Sequence, residues 1–500
     1  MNIALLLQMA AEACPDRCAL THEGRHYTFS ELFAATQRAA HHFLAAEVKF
    51  VALMDVSSPA VPIALMGAAM SGVPYAPINY RLSEAQLTPL LDRISPAYLI
   101  TGSEIVAEDR SGWVVRSSEE FMSVVSEGEI SDLAWHDDPS AVAVQLFTSG
   151  TTGEPKAALL RHEHLVSYIL GSVEFMGADE AEAALVSVPP YHIAGISAVM
   201  SNIYACRHIV QLPNFDPQVW LTLCAEQSVT SAFVVPTMLS RIIETLQQGA
   251  MATEALSSIK SIAYGGGKMP VPVIEHALAL LPQVNFTNAY GLTETSSTIT
   301  LLDPDDHRAA LEQSDGPIRA RLGSVGRPLP AVEIEIRDEH GAVLPPLEAG
   351  EIYVRGPQVS GEYEGRSVLD EAGWFPTRDA GYVDDEGYLF LSGRADDVIV
   401  RGGENISPGE IEDLLHQHSA ISDVAAVGVP SEEWGETIAL AVVTAGGQSI
   451  TEDGLREHIR NHLRSSRVPE LIQFVNELPY NETGKLLRRE VRAWFAAEAA

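Results

Sequence analysis

Residues 141–156 read AVAVQLFTSGTTGEPK. The first seven form a continuous apolar run of strand length, and the next eight are almost wholly Thr, Ser, Gly and Pro before a single cation, Lys156. Successive backbone N–H groups and small hydroxyls in such a run point into one concavity, which suits phosphate oxygens. A P-loop would need Gly, four residues, then Gly-Lys-[Ser/Thr]. Here Gly150 and Gly153 lie too close together, and Pro155 stands where the second glycine should be. The stretch reads as a phosphate loop of another kind, or as a Ser/Gly turn with no ligand.

Outward from this loop, strand-like and helix-like segments alternate. Thr28 and Ser30 offer caps to a helical stretch, YTFSELFAATQRAAHHFLAA, and VALMDVS, VPIALMGAAMSG and VPYAPIN then run strand, helix, strand. HEHLVSYILGSVEFM reads as a helix, with ALVSVPP, RHIVQL, SAFVVP and SIAYGG as further buried strands. This rhythm predicts an α/β fold with largely parallel sheets. After about residue 323 the texture becomes alternating strands broken by Gly and Pro, a β-rich subdomain. From GRADDVIVRGGENISPGEIEDLL onward it becomes a small α+β unit. The predicted division is a large N-terminal domain over 1–395 and a small mobile one over 396–500, with the seam at Arg394 to Asp397.

Composition narrows the function. The 500 residues carry a formal charge of −35, from 67 acidic against 32 basic side chains. Such a surface repels nucleic acid and anionic membrane, so an anionic substrate needs a local positive or dipolar site. Cys14, Cys18, Cys206 and Cys224 show no metal-ligand or redox spacing and are expected to be reduced thiols. The N-terminal MNIALLLQMAAEACPD has no basic residue before its apolar run and reads as an amphipathic helix, not a signal peptide. No stretch reaches the ~18 clean apolar residues of a membrane span, so the expected location is cytoplasmic.

An ordered series of motifs then extends the reading. FTSGTTGEPK at 147–156 is followed by VPPYHIAGI at 188–196, YGGGKMP at 264–270 and NAYGLTETSS at 288–297. GSVGRPLPAVEI at 323–334, GWFPTRDAGYVDDEGYLFLSGRADDVIVRGGENISPGEIE at 373–412 and NETGKLLRREV at 481–491 complete it. In these motifs, and over essentially its whole length, the sequence resembles the adenylate-forming acyl-CoA synthetases and aryl-CoA ligases. The resemblance implies an acid–thiol ligase. A carboxylate attacks the α-phosphorus of ATP to give acyl-AMP and pyrophosphate, and a thiol then displaces AMP.

The resemblance also implies roles. Thr148, Ser149, Gly150, Thr151, Thr152, Gly153 and Lys156 would hold the β- and γ-phosphates. Asn288, Ala289, Tyr290 and Gly291 would form the adenine site, with Tyr290 as a stacking surface. Thr293 would bond the α-phosphate and Glu294 would hold Mg²⁺, which takes hard oxygen ligands. Asp379 would take the ribose hydroxyls and Arg394 would contact the ribose or a phosphate; the family's Thr-Gly-Asp is here Thr377-Arg378-Asp379. Lys485 would lie between carboxylate and α-phosphate, countering charge as two anions meet. Asp396 would be the hinge that swings the small domain away, after which Gly402 and Gly403 would let a pantetheine arm pass.

The acid pocket implied by the same resemblance involves His192, Val235, Tyr264, Gly265, Gly266 and Gly291. Its apolar surroundings, with no Asp in VPPYHIAGISAV to pair an ammonium, point to a fatty or aromatic acid and away from α-amino acids. A chain with no fused carrier domain points to coenzyme A as the thiol, with Arg401, Arg464 and Arg467 as candidate cations for it. An acyl-carrier protein is the alternative acceptor, and a non-catalytic acyl-adenylate binder the alternative function. No suitably placed motif supports a P-loop kinase or a dinucleotide oxidoreductase.

Overall fold

The computed structural model describes residues 1–102, 110–128, 135–148, 155–249, 251–394, 397–402, 404–431, 434–446, 448–480 and 486–496. Ser149, Gly150, Thr151, Thr152, Gly153, Asp396, Gly403 and Lys485 lie outside these.

Two large sheets carry most of the chain up to Leu302, and their cores are parallel as the alternation predicts. In one, the strands Asn285–Leu292, Ser261–Gly265, Ser231–Val234, Ala183–Val186, His208–Gln211 and Cys18–His22 lie side by side in that order. All the pairings in this run are parallel. Antiparallel strands extend both sides, Ser297–Leu302 beside Asn285–Leu292 and Arg25–Thr28 beside Cys18–His22. The other sheet is built likewise on Val142–Thr148, Tyr75–Pro77, Phe50–Met54, Ala97–Thr101 and Val114–Arg116.

The helices follow from local chemistry. Thr28 caps Phe29–Ala45 in a reciprocal box with Glu31, while Ser30 lies inside the helix. The small-residue helix Ala60–Ser71 is buried nearly all round. A side chain at Gly67 would meet Ala39 at 3.0 Å and Phe43 at 3.1 Å, so glycine sets how closely this helix approaches Phe29–Ala45. The predicted helix at HEHLVSYILGSVEFM stops earlier, at Ser172, where Val173 turns extended.

Among the strands that the sequence reading does not name is the one after the Gly/Thr loop. Lys156–Arg161 pairs antiparallel with Val142–Thr148, setting Thr148 opposite Lys156. The Gly/Thr loop therefore joins the two strands of a hairpin and does not open a helix as a P-loop does. The segment KAALLR is poor in β-branched residues, so propensity gives it little strand signal; it is held by pairing and by burial of Ala157, Ala158 and Leu160.

The β-rich segment after residue 323 forms an antiparallel sheet of Glu333–Arg337, Gly350–Arg355, Phe375–Val383 and Leu389–Arg394. Beyond it, Ile421–Ser431 and Gly435–Thr444 anchor a last sheet with its own apolar core on Ile399, Ile411, Leu440 and Ile459. This unit touches the rest through Lys268, whose Nζ lies 2.7 Å from Asp413 Oδ2, and through the Ser407 hydroxyl, which donates to Ser392 O. Among the described residues no helix is long and apolar enough to cross a membrane.

Candidate active site

Polar groups gather where Asn285–Leu292 runs out and the chain turns through Thr293–Thr295 into Ser297–Leu302. The turn is tight because a glycine permits it. A side chain on Gly291 would stand 1.7 Å from Ser297 O, and Ser296 takes a left-handed backbone at φ 56°. Thr295 Oγ1 donates to Leu292 O and Ser297 O, at 3.0 and 2.8 Å, and accepts from Leu292 N.

This turn buries Glu294, and its fixation comes from a residue the motifs do not include. The Tyr363 hydroxyl donates to Glu294 Oε1 at 2.6 Å. Ser360 donates to the Glu294 carbonyl through its N–H at 2.8 Å and its hydroxyl at 3.1 Å. Tyr363 sits in the triplet Glu362-Tyr363-Glu364, whose outer members are tied by arginines. Arg161 bonds both oxygens of Glu362 at 2.8 Å. Arg93 bonds Glu364 at 2.6 Å and also donates to Pro155 O at 2.7 Å, fastening the end of the Gly/Thr loop. With both neighbours tied, Tyr363 pairs against Ala158, and Lys156 Nζ lies 5.6 Å from its ring centroid. Burial and the Glu294 carboxylate both push the Tyr363 phenol up, so it stays a proton donor at neutral pH.

A second group lies on the antiparallel sheet. Asp379 and Arg394 face each other in register, with Nε 3.1 Å from Oδ1. Arg394 also donates to Thr377 O, and the Tyr290 hydroxyl donates to Asp379 Oδ2 at 2.6 Å. Burial, then Asp379, raises the Tyr290 pKa strongly. Arg378, which replaces the family's glycine, takes a left-handed φ of 62°. The turn is therefore kept at the expense of a strained arginine.

A cavity of about 330 Å³ lies between the parallel sheet and the helices His162–Ser172 and Ile193–Tyr204, with Ala289, Ser297 and Thr298 in its lining. Val188, Ala198, Phe233, Ala263 and Ala289 give it apolar walls. Arg207 reaches it too, but Glu182 and Asn202 hold its guanidinium.

Several expected pocket residues sit elsewhere. Tyr264 corrects its assignment: it points to the opposite sheet face, where its hydroxyl meets His307 Nε2 at 2.8 Å inside the core. Strand alternation makes Ala263 the cavity residue. Val235 is buried at the start of the helix Pro236–Gln247 and touches the Gly266 side. Gly265 lets strands approach, since a side chain there would meet Ala289 O at 2.1 Å. Asn288 donates to Ser324 O on the face away from the cavity. His192 precedes the helix Ile193–Tyr204, and its ring lies 4.6 Å from that of Tyr191, tilted by 53°. Its Nε2 is buried without a hydrogen-bond partner, and burial pushes its pKa down to about 4. Gly402 turns between Ile399–Arg401 and Glu404–Ile406, against Trp434. Arg401 and Arg467 are engaged by glutamates, Glu470 at 2.7 Å and Glu410 at 2.9 Å; Arg464 is exposed.

Residues 7–364 match the family model of the AMP-binding enzyme, and residues 410–485 that of the AMP-binding enzyme C-terminal domain. The chain belongs to the AMP-binding enzyme family. It is 35% identical over 351 residues to a 2-succinylbenzoate–CoA ligase of Bacillus mycoides, covering 69% of each chain. It is 32% identical over 399 residues to a fatty acid–[acyl-carrier-protein] ligase of Streptomyces coeruleorubidus, covering 77% of this chain and 74% of that one. Its fold matches o-succinylbenzoate CoA synthetase from Bacillus subtilis solved with its acyl-adenylate intermediate, at TM-score 0.83, 29% identity and 97% coverage of both chains. The same Bacillus subtilis enzyme solved with ATP and magnesium matches at 0.82 and 28%, covering 97% of this chain and 98% of that one. This AMP-binding enzyme is thus of the acid–thiol ligase type the motifs imply, on the adenylate-forming fold.

Proposed function

We propose that this AMP-binding enzyme is an ATP- and Mg²⁺-dependent carboxylic acid:coenzyme A ligase. It would form acyl-AMP and pyrophosphate, then acyl-CoA and AMP, on a compact apolar or aromatic acid. The observation that carries the reading is the convergence of Lys156, Tyr363 and Glu294 at the end of the Gly/Thr hairpin, with Glu294 three residues along the chain from Ser297, which lines a largely apolar cavity.

In this reading Lys156, with the loop from Thr148 to Gly153, counters the charge of the departing pyrophosphate. Asp379, oriented by Arg394 and Tyr290, accepts from the ribose hydroxyls. Glu294 fits Mg²⁺: it is a buried, hard, anionic oxygen donor, and among the described residues Tyr363 bonds only one of its two carboxylate oxygens. Mg²⁺ there would neutralise phosphate charge. Lys485 assists adenylation, and rotation of the 396–500 unit about Asp396 then replaces it with the Gly402–Gly403 turn. The Lys268–Asp413 pair, exposed on both sides, is a contact weak enough to break in such a rotation. The cavity volume lies at the small end of ligand pockets, which favours a ring or short branched chain over a long acyl chain.

The Streptomyces relative supports a second reading, in which an acyl-carrier protein accepts the acyl group. A panel of carboxylic acids with ATP and Mg²⁺, scored for pyrophosphate and thioester with coenzyme A or a carrier protein, separates the two. The expected result is coenzyme A thioester from a compact apolar acid. Lys485→Ala should lose about 10²–10³ in adenylation rate yet still convert supplied acyl-adenylate to thioester. Thioester only on the carrier protein would overturn the first reading in favour of the second. No adenylate from any acid would overturn both in favour of a non-catalytic binder.

A further inference from the structure

The cysteines have no metal-binding spacing along the chain, but folding gives Cys18 two imidazole neighbours. Its strand, Cys18–His22, lies between Arg25–Thr28 and His208–Gln211. Thr21 pairs with His26 on one side and with Val210 on the other, so His26 and His208 share the face of Thr21. Plain alternation would send Cys18 to the opposite face. A bulge between Cys18 and Leu20 adds one residue to this strand, opposes Cys18 to Thr28, and so turns its thiol onto the side of His26.

Three ligand atoms result, Cys18 Sγ and one ring nitrogen each from His26 and His208, all within 4.8 Å of one another. Cys18 Sγ lies 3.9 Å from His26 Nδ1. Thr21 Oγ1 stands between the rings, 2.7 Å from His26 Nδ1 and 2.7 Å from His208 Nε2. Zn–S and Zn–N bonds of about 2.3 and 2.05 Å at tetrahedral angles put ligand atoms about 3.3–3.6 Å apart, so an inward shift of about 1 Å or less suffices.

We propose that Cys18, His26 and His208 form a Zn²⁺ site that ties the Arg25–Thr28 hairpin edge to the strand His208–Gln211. One thiolate and two imidazoles suit a borderline cation and not Mg²⁺, so the site is distinct in chemistry from Glu294. It is also distant in the sheet, with three strands between His208–Gln211 and the strand leading to Glu294. Binding releases the Cys18 thiol proton to solvent, and water completes a fourth position.

The test titrates the full chain, stripped with a chelator, first with Co²⁺ and then with Zn²⁺ against a chromophoric chelator. The expected result is a thiolate-to-cobalt charge-transfer band with tetrahedral visible bands, displaced by Zn²⁺ and indifferent to millimolar Mg²⁺. Cys18→Ser should abolish the charge-transfer band. His26→Ala, at an exposed position, should weaken Zn²⁺ uptake by about tenfold or more, since losing even an outer partner of a ligand has that effect. Zn²⁺ should raise the unfolding temperature of the parent but not of Cys18→Ser, and matching metal-free unfolding temperatures would show both chains folded. No uptake at micromolar Zn²⁺, or uptake untouched by both substitutions, would overturn the proposal. The latter would place the metal elsewhere, as at the neighbouring rings of His418, His458 and His462.

Discussion

Tyr363→Phe isolates one hydroxyl at the proposed metal ligand. The ring remains, so its contact with Lys156 and its packing are kept, and only the 2.6 Å bond to Glu294 Oε1 is lost. The Glu294 backbone does not depend on that bond, because Ser360 holds its carbonyl twice. The substitution therefore frees the carboxylate without unmaking the turn. A neutral donor on a charged acceptor is worth about 1.5–3 kcal/mol. Much of it falls on the orientation of a buried group whose remaining alternatives are few. At about 1.4 kcal/mol per decade, the expected effect is a roughly tenfold or greater rise in the Mg²⁺ concentration for half-maximal pyrophosphate release, at saturating ATP and acid. Tyr363→Leu removes the ring as well and should additionally raise the KM for ATP through Lys156. An unchanged Mg²⁺ dependence in Tyr363→Phe, alongside full activity, would refute the idea that Tyr363 positions Glu294 for the metal.

Other perturbations test neighbouring features. Arg378→Gly relieves a left-handed φ of 62° that costs an L-residue about 1–2 kcal/mol, against about 0.5–1 kcal/mol of added backbone entropy in the unfolded chain. The urea midpoint should rise slightly with activity kept, and a fall would show that the side chain contributes more than its exposed contact with Glu351 suggests. Burial pushes His162 and His192 down to about 4 from an ordinary 6.5, so the unfolded chain binds more protons throughout that interval. Stability is then complete above about pH 6.5 and lost as pH falls toward 4. Urea midpoints at neutral and mildly acid pH should show this drop, with a smaller one in His162→Gln. Ala263→Phe fills the cavity from the sheet side. Adenylation of ring-bearing acids should be lost while the smallest acids still react, and an unaltered acid profile would remove this cavity from the acid site.

Local pattern makes some of this molecule legible and chain topology hides the rest. The Gly/Thr loop, Glu294, Asp379 and Arg394 stand in contiguous motifs, and the strand rhythm around them implies the parallel sheets observed. Tyr264 departs from its expected place although the signal is present: in SIAYG, period-2 alternation puts Ala263 and Gly265 on one face and Tyr264 on the other. The strand Lys156–Arg161 is illegible for a different reason, since its Ala and Leu content carries no strand preference until its partner is in place.

Pairings across the chain have no such signal. Tyr363 meets Glu294 across 69 residues, and the hydroxyl that orients Asp379 comes from 89 residues upstream. Neither spacing carries a period, and a Tyr between two glutamates reads as surface. The arginines decide otherwise: Arg93 and Arg161 clamp Glu364 and Glu362, and the residue between them has nowhere to point but toward Glu294. Cys18 is the stronger case, because even a correct strand assignment misdirects it. Alternation counted from Leu20 places the thiol on the core face; only the extra residue in the bulge places it beside His26, and only the sheet order brings His208 from 187 residues beyond Thr21. With Ala19 as the extra residue, Cys18 stands opposite Thr28 with its thiol on the side of His26, so a one-residue irregularity in an edge hairpin decides that these three side chains form a ligand set.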